Sequence, residues 1–154
     1  MCALTAQITF QFNEPYLMEN KSWGVFIDGG SRGNPGPAAC GFHLIAPGGQ
    51  SWTGGRALGN QTNNSAEYQG IIHGLQAALE KGVESLDVFC DSELAVNQLN
   101  GEFKVKDAGL KQLVAKVKEM AAKFIDGVRF FHIRRDLNKI ADGLVNQVLD
   151  GVIR

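Results

Sequence analysis

Four acidic residues of this chain sit where a carboxylate is costly. Asp28 ends the apolar run Trp23-Gly24-Val25-Phe26-Ile27, Asp91 ends Val88-Phe89-Cys90, Glu67 follows Thr62-Asn63-Asn64-Ser65-Ala66, and Asp142 follows Asn138-Lys139-Ile140-Ala141. An acid beside a core must be paired, hydrogen-bonded or bound to a metal. Each also has a plainer reading. Asn64-Ser65-Ala66-Glu67 fits a capping box in which Glu67 reaches back to the Asn64 N–H, and Asp91 suits the cap of a helix starting at Ser92. Asp142 suits the favourable end of a helix dipole, and Asp28 an Asx turn before Gly29-Gly30. Taken together those readings require four coincidences, whereas ligation of a divalent cation accounts for the whole set.

The elements that must position these acids follow from hydrophobic period and turn residues. A strand is expected over 23–28, a Gly/Pro-rich loop over 29–37, a strand over 38–46, a turn at Pro47-Gly48-Gly49 and a strand over 50–58, the three strands forming an antiparallel meander. Ile71, Leu75 and Ala78 recur at helical spacing within 66–81, which Gly82 stops. A strand over 85–91 and a short helix over 92–99 come next, then a helix over 107–124, a strand over 128–134 and a helix over 137–149. This order predicts an α/β fold: a mixed five-stranded sheet, three antiparallel strands then two parallel ones, with helices on its faces. Glu67 precedes Ile71 by four residues, on the buried stripe of its helix. If the strands ending in Asp28 and Asp91 are neighbours, their acids converge where ligands of such folds gather.

Residues 1–22 stand apart as an N-terminal extension, in which the alternating Gln7-Ile8-Thr9-Phe10-Gln11-Phe12 suits an added edge strand; 23–154 make the main domain. With 154 residues, 44% hydrophobic and 20% charged, the chain has the composition of a soluble globular domain. No apolar run is long enough to span a membrane and no secretory signal is visible. Cys2, Cys40 and Cys90 read as reduced thiols of a cytoplasmic protein. No obligate protein partner is evident, and a monomer is expected. A net charge of −1 is unlike that of most nucleic-acid binders, so any such binding must be built locally.

Asp28-Gly29-Gly30-Ser31-Arg32-Gly33-Asn34-Pro35-Gly36-Pro37-Ala38, then Thr62-Asn63-Asn64-x-x-Glu67, Asp91-Ser92 and Asn138-x-x-Ala141-Asp142, resemble the successive motifs of type 1 ribonuclease H across about residues 23 to 150. The resemblance implies an endoribonuclease that cuts the RNA strand of RNA/DNA hybrids with two Mg²⁺ ions, Mn²⁺ being a substitute, and leaves 5′-phosphate and 3′-hydroxyl ends. It implies that Asp28 bridges the metals, that Glu67 and Asp91 complete their ligation, and that Asp142 holds the ion that activates water. The family often places a His before the last helix to assist turnover. His132 has the ten-residue spacing to Asp142 but falls in the alternating run Phe130-Phe131-His132-Ile133, whereas the short-loop pattern points to Arg135.

The resemblance further implies that Asn34, beside Gly33, and Asn63 and Asn64 contact the minor groove and the 2′-hydroxyls that distinguish RNA from DNA, and that Thr62 with Asn34 and Arg32 holds a DNA phosphate. Two departures stand out. Glu93 takes a position commonly held by Gln, and a carboxylate cannot donate the hydrogen bond an amide would. The basic helix and loop some members carry is absent, leaving only Lys104 and Lys106 in that gap, which predicts weak, salt-sensitive binding with a shallow salt slope. Two rival functions are a nuclease of the same fold acting on double-stranded RNA or structured DNA, and a non-catalytic binding domain. The asparagines beside the acids argue against the first, the intact acid set against the second.

Overall fold

The computed structural model describes residues 22–151. The edge strand expected at 7–12 lies outside the described residues. Five strands, β1 (Trp23–Ser31), β2 (Gly36–Ile45), β3 (Ser51–Gln61), β4 (Leu86–Cys90) and β5 (Val128–His132), form one sheet in the order β3-β2-β1-β4-β5. β1 pairs antiparallel with β2 and β2 with β3, while β1/β4 and β4/β5 are parallel, as the meander followed by alternating elements predicts. The helices are α1 (Asn63–Glu80), α2 (Glu93–Leu99), α3 (Ala108–Ala121) and α4 (Lys139–Leu149), with a single 3₁₀ turn at Arg135–Leu137 leading into α4. No helix of the described residues is long and apolar enough to cross a membrane.

Strand alternation divides the core. Val25 and Ile27 of β1 and Phe42 and Leu44 of β2 face Tyr68, Ile71 and Leu75 of α1, and this cluster continues into Val114, Val117 and Met120 of α3. On the other face Phe26, Ile45 and Phe89 pack with Ile133, Leu137 and Ile140. Ala39 meets Val145 and Val148 of α4 there. Central β1 is therefore covered on both sides, which is why it reads as a continuous apolar run rather than an alternating one.

Local chemistry moved several boundaries. β1 runs three residues past Asp28, because Gly29, Gly30 and Ser31 stay paired to Cys40, Ala39 and Ala38, so the loop expected over 29–37 shrinks. Gly29 is required there: a Cβ on it would lie 2.1 Å from the Ala66 carbonyl oxygen, so only glycine lets the first turn of α1 seat against β1. Gly70 is also tightly placed, since its Cβ would lie 2.7 Å from the Asp28 carbonyl oxygen. α1 starts at Asn63 because Thr62, not Asn64, is the N-cap and accepts from the Ser65 N–H at 3.2 Å. Ser92, not Asp91, caps α2 by accepting from the Ala95 N–H at 3.2 Å. β5 ends at His132, where the chain turns into the 3₁₀ segment.

Candidate functional site

Both cap assignments free an acid for other work. In the parallel β1/β4 pair Ile27 stands opposite Cys90, so the next residues stand side by side: Asp28, still paired to Gly41 of β2, and Asp91, just past the end of β4. The first turn of α1, seated on Gly29, brings Glu67 to them. Ligand oxygens of Asp28, Glu67 and Asp91 all lie within 4.8 Å of one another. Asp28 and Glu67 are buried and Asp91 is half-buried. Asp142, in the first turn of α4, hydrogen-bonds the Asp28 carboxyl from the rim but stands outside the tight trio. Among the described residues none of the four acids makes an ion pair.

Electrostatics follow from that crowding. Burial, then the charges of Glu67 and Asp91, push the Asp28 carboxyl far above the ordinary carboxylate range. Burial pushes Glu67 up as well, opposed by its hydrogen bonds to Asp28, Cys90 and the Gly29 N–H. The pair therefore retains a proton at neutral pH when no cation is bound. Hard oxygen donors this close, in no ion pair among the described residues, fit a divalent cation of the Mg²⁺ or Mn²⁺ kind.

The four acids share a cleft of about 400 Å³ with Arg32, Asn63, Asn64 and Arg135. Arg135 is exposed at its rim, whereas His132 remains in β5 and lines no part of it. A second groove of about 640 Å³ adjoins it, lined by Asn34, Gln61, Thr62, Asn64 and Gln69 and by the start of α3. The asparagines are interlocked: Asn63 N–H donates to Asn34 Oδ1 at 3.0 Å and Ser31 N–H to Asn63 Oδ1 at 2.9 Å. Gly33, at φ +96°, makes the turn that presents Asn34. Arg32 is held by Asp150 at 2.7 Å. Glu93 is exposed on the first turn of α2, lining neither the cleft nor the groove.

Two residues had no role in the sequence reading. Asn138, 1% exposed, donates through Nδ2 to the Ile27 carbonyl at 2.8 Å and to Asp91 Oδ2 at 3.0 Å, tying α4, β1 and an acid of the trio together. Its signal was its place in Asn138-x-x-Ala141-Asp142. Cys90, fully buried, donates to Glu67 Oε2 at 3.3 Å. Burial pushes its thiol well above its ordinary value, so it acts as a donor. No sequence signal separates it from a core cysteine.

The sequence model of the reverse transcriptase-like family matches residues 26–148. The ribonuclease HI of Halobacterium salinarum is 39% identical over 127 residues, which cover 82% of this chain and 63% of that protein. The chain thus spans less than two thirds of that relative's length. Among solved structures, RNase H1 from Halobacterium salinarum superposes with a TM-score of 0.82 at 37% identity, covering 84% of this chain and 98% of that one. LC11-RNase H1, solved in complex with an RNA/DNA hybrid, superposes with a TM-score of 0.80 at 34% identity, covering 86% of this chain and 100% of that one.

Proposed function

This chain belongs to the ribonuclease H-like family, and from that premise we propose that it is a type 1, short-loop ribonuclease H: an endoribonuclease that hydrolyses the RNA strand of RNA/DNA hybrids and leaves 5′-phosphate and 3′-hydroxyl ends. The observation that carries this reading is the Asp28, Glu67, Asp91 trio, with ligand oxygens within 4.8 Å of one another, in a cleft flanked by Asn63 and Asn64. The LC11 relative, solved with a hybrid, supports the substrate class.

Asp28, Glu67 and Asp91 would hold the metal ions, with Asp142 completing the set from α4. Two Mg²⁺ ions, or Mn²⁺, supply Lewis-acid stabilisation of the phosphate and an activated water when bound. The chain's own residues do the rest. Asn34, Asn63 and Asn64 offer amide groups to the minor groove and the 2′-hydroxyls, which only the RNA strand carries. Thr62 and Arg32 hold a DNA phosphate, and Arg135 at the rim assists product departure. Residues 23–154 form the catalytic domain and 1–22 an accessory extension, and the protein works as a cytoplasmic monomer.

A strand-labelled cleavage assay with hybrid, double-stranded RNA and double-stranded DNA, in Mg²⁺ or EDTA, tests the reading. Mg²⁺-dependent cutting confined to the RNA strand of the hybrid is expected. Cutting of double-stranded RNA at an equal rate would move the substrate assignment, and no cutting with either Mg²⁺ or Mn²⁺ would leave a binding domain.

A further inference from the structure

Asp91 and Cys90 are consecutive at the end of β4, so strand alternation sends them to opposite faces: Asp91 into the cleft, Cys90 back toward α1. The sulfur sits between two hydrogen bonds of fixed sense. It accepts from the Ser92 N–H at 3.4 Å, so its own proton is directed to Glu67 Oε2 at 3.3 Å. Glu67 is 8% exposed, and its other donor apart from the shared proton of Asp28 is the Gly29 N–H. A glutamate has freely turning side-chain bonds, and a buried carboxylate oxygen stripped of its donor must either turn or remain unsatisfied.

We propose that Cys90 is a positioning residue for the metal centre, its thiol holding Glu67 in the orientation that lets Asp28, Glu67 and Asp91 share a cation. Groups that orient a ligand are worth about 10-fold to 100-fold in metal affinity, and a thiol, being a weak donor, belongs at the lower end. Cys90 is also part of the apolar core with Val88 and Ala95. A pure filler and a hydrogen-bond donor make different forecasts. For a filler, alanine and serine both alter stability and neither alters metal binding selectively; for a donor, serine preserves what alanine loses.

The inference rests on the metal-dependent reading above, so its test starts from metal binding to the full chain, freed of metal and without nucleic acid. Mn²⁺ titrations followed by calorimetry are expected to show Cys90→Ala weakened about tenfold and Cys90→Ser within about threefold of the native protein, with thermal unfolding in EDTA confirming that both are folded. Affinity of Cys90→Ala equal to the native value would overturn the proposal and leave the metal site intact. Absence of Mn²⁺ binding by the native protein would overturn both. If the alanine variant does not fold, infrared difference spectra of the native protein decide: the thiol stretch shifts on Mn²⁺ addition, and Cys90→Ser abolishes that band. An unshifted band would sink the proposal.

Discussion

The two ends of the central strands each bury an aspartate, and they treat it oppositely. At the amino end of β4, Asp87 is 3% exposed and stands in register with Arg129 of β5, whose Nε donates to Asp87 Oδ1 at 2.5 Å. The same guanidinium donates to Ser85 Oγ at 2.6 Å and to the Asp126 carbonyl at 3.3 Å. At the carboxyl end Asp28 is about as buried, yet its nearest charged partners are more acids. One acid brings its own cation and belongs to the fold. The other has no ion-pair partner among the described residues, and α1, α4 and two parallel strands hold it in place. An unpaired buried acid thus marks function where a paired one does not.

Exchanging the two acids for asparagine is the largest test of that contrast. Asp28→Asn is expected to lower cleavage more than about a hundredfold while the protein in EDTA is at least as stable as before. Asp87→Asn is expected to cost about 2 kcal/mol of stability, a partly exposed Arg129 keeping the loss below that of a fully buried pair, with cleavage per folded molecule unchanged. Denaturant unfolding and initial rates on the hybrid measure both. If the two variants lost the same property, the contrast would collapse.

Asn138→Ala sharpens it, since this amide supports an acid of the trio from the second core. Metal affinity should fall about tenfold and stability by about 1 kcal/mol, read by calorimetry and urea unfolding. Arg135→Ala is expected to slow turnover about tenfold with metal affinity unchanged, whereas His132→Ala leaves both alone; steady-state kinetics separates them.

The pH dependence of unfolding gives the smallest effect and one of defined sign. Asp28 and Glu67 have raised values in the folded state, so without metal their contribution to stability is present at low pH and lost as pH rises through neutrality. His43, buried between strands, is lowered by burial from 6.5 to about 4, so its contribution is present above 6.5 and lost as pH falls toward 4. Melting temperature against pH in EDTA should therefore show two limbs. Mg²⁺ or Asp28→Asn should flatten only the alkaline limb, and His43→Leu only the acid one.

The sequence made the acids and their convergence legible because each sits at a change of period, and because short connections leave few ways to order the strands. The sheet topology followed from the same signals. Cap identities did not, since Asn64 and Thr62, or Asp91 and Ser92, offer equivalent acceptors and only the backbone angle of the residue before the helix selects between them. Cys90 was hidden because a thiol in an apolar run looks the same whether or not a carboxylate faces it. Asn138 was visible as a letter of a motif, but its two acceptors lie 111 and 47 residues away in the chain. The glycine run after Asp28 looked like loop because close approach by Ala66 is a tertiary fact.

In this reading the carboxyl-end acids exchange a shared proton for a cation. Titrating Mg²⁺ into metal-free protein at neutral pH, in calorimetry buffers of different ionisation enthalpy, measures the protons expelled on binding. Proton release by the native protein, abolished in Asp28→Asn, is the predicted result, because the cation displaces the proton shared by Asp28 and Glu67. Mg²⁺ binding without proton release, or release undiminished in Asp28→Asn, would contradict the account.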